Sequence, residues 1–131
     1  MTPGARVTAA IELLDKIWGD PIPATNLIKR YFNQRRFAGS KDRRAIKKLV
    51  YAIIRHHQRL HWWFRQTENS SLFCPRTAVI TYFSIIKNFS TEPLLGLFSG
   101  LKYSPLSLSI EEKELAEELE HFKIHQKTMP R

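Results

Sequence analysis

Acidic side chains are nearly missing from residues 29–65, which hold twelve Lys or Arg against one acid, Asp42, in a 131-residue chain of net charge +9. Cysteine is scarcer still. Cys74 stands alone, which excludes an internal disulfide and fits a reducing, cytoplasmic setting. The five glycines fall into no dinucleotide-binding, phosphate-loop or nucleophile-elbow pattern. With no catalytic constellation elsewhere, the expectation is a non-enzyme that needs no cofactor. Long apolar runs are also lacking: Ala78–Ile86 ends at Lys87, far short of the ~20 residues a membrane helix needs. The N-terminal stretch is amphipathic and carries Arg6, Glu12, Asp15 and Lys16, so it does not read as a signal peptide.

What is present is a globular composition, 43% hydrophobic and 25% charged, in a chain of one-domain length. Such a chain buries roughly two-thirds of its unfolded surface and needs no staple to fold. Apolar residues recur at helical spacing throughout, with no period-2 strand, which predicts an all-α fold. The spacing predicts a helix over 3–18, stopped by Gly19, Pro21 and Pro23, and a second over 24–35. Ser40 reads as the N-cap of a long third helix, 41–66, with Ile46, Leu49, Val50, Ile53, Ile54, His57, Leu60 and Phe64 on its buried face. A polar loop, 67–73, precedes a helix over 76–88 opened by Pro75, apolar on almost every side and therefore central. A short helix near 92–98 follows. A last one over 110–124, with six glutamates, is announced by the Ser109/Glu112 capping box. The domain is expected to span 1–125, with 126–131 as a linker or tail.

The positive charge is a patch and not a background. On the long helix it forms a ridge opposite the buried face, interleaved with Tyr51 and followed by Trp62 and Trp63. Like charges without carboxylates between them repel, and a polyanion relieves that repulsion, so the ridge points first to nucleic acid. The expected phosphate contacts are Arg36, Lys41, Arg43, Arg44, Lys47, Lys48, Arg55 and Arg59, with Ser40 and the free N–H groups of the helix start able to meet a phosphate oxygen. Arg43 and Arg44 lead, because guanidinium binds phosphate bidentately. Other constellations favour bland readings. His57 and His61 have helical metal-ligand spacing, but Gln58 follows His57 and no Cys or acid lies within reach, so no metal is expected. Cys74 lacks an activating partner and reads as a capping residue; Trp62 reads as packing more than base stacking. The acidic last helix reads as a solvated face, with proximity to the ridge as the other possibility.

The stretch RRFAGSKDRRAIKKLVYAIIRHH, preceded by ARVTAAIELLDKI, resembles the N-terminal NusB-like domain of the NOP/Sun-type ribosomal RNA cytosine-C5 methyltransferases. The matching positions are Gly39, Ser40, Asp42 and Arg43, then Leu49, Val50, Tyr51, Ile54 and Arg55, with looser likeness through the last helix to Met129-Pro130. The resemblance implies a NusB-like bundle of about six helices around a central apolar helix, binding RNA and docking an enzyme on ribosomal RNA. The family's catalytic half pairs an AdoMet-binding Rossmann-type domain with two cysteines in Pro-Cys and Thr-Cys contexts. The one cysteine here lies in Phe73-Cys74-Pro75, so methyl transfer does not carry over and the accessory domain alone is implied. The expected function is thus a non-catalytic RNA-binding module, with ribosomal RNA as partner. The alternative is a protein-interaction or transcription antitermination module of the NusB type, docking a methyltransferase or transcription factor. A membrane partner is not expected.

Overall fold

The computed structural model describes residues 1–35, 38–69 and 71–125. Among these, the fold is all-α: seven α-helices and one π-helical turn, without a strand. Helix α1 (Pro3–Gly19) starts where the Thr2 hydroxyl accepts the Ala5 N–H at 3.1 Å. It ends at Gly19, and the Asp20 carboxylate then accepts the Ile22 N–H at 2.9 Å to turn the chain. Val7, Ala10, Leu13 and Leu14 make its buried face, and the small Ala5, Ala9 and Ala10 let neighbouring helices approach closely. Helix α2 (Ala24–Gln34) buries Leu27, Ile28, Tyr31 and Phe32.

The basic segment departs from expectation in two ways. Gly39, not Ser40, is the N-cap of α3 (Ser40–Arg55), with no side-chain cap bond; Ser40 is already helical. The helix begins one residue early because the extended Gly39 backbone supplies the entry, and its carbonyl accepts the Arg43 N–H at 2.9 Å. The expected single helix 41–66 is also broken at His56 (φ −96°, ψ 10°), giving α3 and α4 (His57–Gln66). Backbone bonding nearly runs through the break: His56 N–H donates to Ala52 O at 3.0 Å, and Leu60 N–H to His56 O at 2.8 Å. The bend turns the buried stripe, so that Leu60, Trp63 and Phe64 face the core while His57 is only half-buried.

Helix α5 (Pro75–Thr81) has Pro at its first turn and is buried along nearly its whole length, with Ala78, Val79, Ile80 and Thr81 sealed from solvent. It packs on α1, α4 and α7. The central apolar helix is therefore present, but it is short: from Tyr82 to Ile86 the chain widens into a π turn. That turn closes when Lys87 N–H donates to Tyr82 O at 3.1 Å and Phe89 N–H to Phe83 O at 2.8 Å, with Asn88 in the left-handed region (φ 58°). Helices α6 (Thr91–Leu97) and α7 (Ile110–Ile124) complete the bundle. The α7 capping box forms as expected: Ser109 Oγ accepts the Glu112 N–H at 3.1 Å and Glu112 Oε1 accepts the Ser109 N–H at 2.9 Å. Leu115, Ala116 and Leu119 seat α7 on the core. Phe73, expected in a polar loop, instead packs with Trp18, His57, His61 and Phe64. No helix among the described residues is long and apolar enough to cross a membrane.

Candidate nucleic-acid interface

The expected contact residues divide into a line that faces solvent and one residue spent on the fold. Arg44, Lys48 and Arg55 are exposed along one stripe of α3, with Tyr51 (39% exposed) between the last two; Arg59 continues the line beyond the bend, and Lys41 and Lys47 flank it, both exposed. Steps of three or four residues place successive side chains about 4.5–6 Å apart along the axis, so Arg44 and Arg55 are separated by about 16 Å. None of these six cations has a carboxylate within 4.0 Å among the described residues. Ser40 is exposed at the helix start. Arg36 lies outside the described residues.

Arg43 is different. Its Nε donates to Ala38 O at 2.8 Å and a terminal nitrogen reaches Phe32 O at 3.5 Å, with the guanidinium 5.6 Å from the Phe32 ring. The residue is half-buried and ties the end of α2 to the start of α3. No local pattern separates Arg43 from Arg44; the distinction comes from the turn that brings Phe32 and Ala38 against one and not the other.

The single acid of the basic stretch is neutralised. Arg6, reaching over from α1, grips Asp42 through Nε at 2.8 Å and through a terminal nitrogen also at 2.8 Å. That bond holds the Asp42 carboxyl below its ordinary value. The carboxylate is thereby masked where it would repel phosphate. His56, at the bend, is kept below the ordinary imidazole value by burial and then by Arg55 and Arg59, which favours its neutral form. Trp63 is buried and Trp62 half-buried against the core, which leaves Tyr51 as the exposed aromatic on the ridge.

Beside the ridge the fold opens a groove of about 310 Å³ between α1, α3, the π turn with Phe89, and the end of α6 at Leu97. Its apolar lining includes Val7, Leu49, Tyr82, Phe83, Phe89 and Leu97, and its charged lining is Arg6, Lys48 and Lys87. Among the described residues no carboxylate lines it. Lys87 lies outside the basic stretch, and only the tertiary fold brings it to the same groove as Lys48. The acidic helix α7 packs on α4, α5, α6 and the π turn, whereas α3 packs chiefly on α1 and α4. Its Glu112 is occupied internally: Arg76 Nε donates to it at 2.6 Å, and the same guanidinium bonds Leu106 O at 2.6 Å and Ser107 O at 3.2 Å. No group of three or more His, Cys, Asp or Glu among the described residues could hold a metal ion. Cys74 is a free thiol whose backbone N–H donates to Thr77 Oγ1 at 2.9 Å, the capping role expected of it.

The chain matches no protein-family model, no curated protein and no solved structure.

Proposed function

We propose that this chain is a non-catalytic RNA-binding module of NusB-like type that docks on ribosomal RNA. The observation that carries the reading is the exposed line Arg44, Lys48, Arg55 and Arg59, flanked by Lys41 and Lys47 and free of carboxylate partners among the described residues. Folded without a counterion, such a line costs electrostatic free energy, and a phosphate backbone offsets it while releasing condensed cations. The neutralisation of Asp42 by Arg6 and the exposed Tyr51 ring support the same reading. Ribosomal RNA as the target, rather than RNA at large, rests on the likeness at Gly39, Ser40, Asp42 and Arg43. In this role the ridge supplies affinity and orientation, and base-edge contacts are not required of it.

Fluorescence anisotropy with a ribosomal RNA fragment across a salt series tests this, comparing wild type with Arg44→Gln/Arg55→Gln. Weaker binding by the double variant at unchanged fold is the expected result. Wild-type affinity would remove the ridge from the interface.

A second reading, docking of a protein partner such as a methyltransferase or a transcription factor, has its own observation. Leu101, Tyr103 and Leu106, in the loop between α6 and α7, are 71%, 72% and 77% exposed. Partner binding that survives high salt and depends on these residues would favour it.

A further inference from the structure

We propose that the groove beside the ridge seats an unpaired nucleobase, so that the RNA crossing α3 is single-stranded there. The inference rests on the RNA reading above and adds the strand class to it.

Four observations converge. The groove is continuous with the ridge, because Lys48 belongs to both, so a strand held on Arg44 and Lys48 passes its mouth. Its interior is apolar and aromatic: the half-buried Phe83 and Phe89 lie with ring centroids 5.1 Å apart at 39°, and both line it. Aromatic rings offer the sequence-tolerant stacking surface that unpaired bases use. Among the described residues its charged lining is of one sign. Arg6 is satisfied by Asp42, which leaves Lys48 and Lys87 to hold the phosphates on either side of an inserted base. Its volume, about 310 Å³, is at the small end of ligand sites and admits one planar ring system.

The groove is built by the least regular part of the fold. The π turn Tyr82–Ile86, the left-handed Asn88 and the Phe89 N–H to Phe83 O bond set the two rings together. An uninterrupted α-helix would not place residues six apart on the same side of a cavity. Such π turns recur at functional sites, where they re-aim side chains. A paired base, stacked inside a duplex, cannot reach the apolar floor; a duplex meets the ridge alone.

The experiment compares three RNAs of about twelve nucleotides at one salt concentration: an unstructured strand, an all-abasic strand of the same length, and a blunt duplex. The unstructured strand is expected to bind about tenfold tighter than the abasic strand. Salt slopes for those two should be equal, because their phosphates are the same. Phe83→Leu should abolish the difference between them, while Arg44→Gln weakens both alike. Equal binding of intact and abasic strands, or tightest binding of the duplex, overturns the inference and leaves the groove to another occupant such as an acidic protein segment. If no RNA binds even at low salt, the RNA reading itself falls and this inference with it. The abasic comparison needs no variant, so it decides even if Phe83→Leu fails to fold.

Discussion

Arg43 and Arg44 are neighbours in opposite surroundings, one half-buried and bonded and the other exposed, and substitution should separate them. Arg44 is exposed, with no carboxylate within 4.0 Å among the described residues, so Arg44→Gln should change stability by less than about 0.5 kcal/mol in urea unfolding. Arg43→Gln removes the link between Ala38, Phe32 and α3, and should cost about 1–2 kcal/mol by the same measurement. Equal effects at the two positions would mean the Arg43 contacts contribute nothing. Arg76 and Glu112 make a stronger case, because Glu112 is buried and the guanidinium also bonds two carbonyls and lies 4.8 Å from the Phe98 ring. Burial alone disfavours a charged Glu112, yet the bonds from Arg76 and the Ser109 cap outweigh it and keep its carboxyl below the ordinary value. Arg76→Leu should therefore destabilise by about 2–3 kcal/mol, since it strands a buried carboxylate. Ile53→Asp, which puts an unpaired charge at a position with no solvent exposure, should abolish cooperative unfolding altogether.

The bend between α3 and α4 carries two imidazoles whose titration reports on it. His56 is held below the ordinary value by burial and then by Arg55 and Arg59; His57 by burial and then by His61. A proton therefore binds the unfolded chain more readily than the folded one. Stability should be flat above about pH 6.5 and fall as the pH drops from there toward the depressed folded values. Melting temperature measured from pH 7.5 to 5.5 should decline, and His56→Gln/His57→Gln should flatten the decline; an unchanged slope in that variant would place the acid sensitivity elsewhere. Asp42 and Glu112 have lowered carboxyl values, so their contributions are lost only at more acid pH. The same elements show what a sequence makes legible. Helices α1, α2 and α7 could be read closely because caps and breakers are local: Gly19 and the Ser109/Glu112 box act within a turn of themselves. The bend at His56 and the π turn at Tyr82 could not, because neither has a proline or glycine to announce it. The ridge was visible for the same reason as the caps, since i, i+4 spacing fixes a helix face. The groove was not, because Lys48 and Lys87 meet only in three dimensions.

Across the whole molecule, charge and packing are segregated. The basic α3 packs chiefly on α1 and α4, while α7, with its six glutamates, packs on α4, α5, α6 and the π turn around the buried α5. An apolar interior that includes Leu13, Ile46, Ile53, Ile80, Leu115 and Leu119, each with no solvent exposure, holds the two surfaces in place, so the ridge can stay unpaired without threatening the fold. If the ridge binds phosphates, RNA binding must weaken as salt rises. Six exposed cations on a single strand predict log K falling against log salt with a slope of about −4. Arg44→Gln/Arg55→Gln should reduce that slope by about 1.4 while leaving the melting temperature in place. An affinity that is insensitive to salt, or a slope that the double variant leaves unchanged, would mean that the ridge does not bind RNA phosphates.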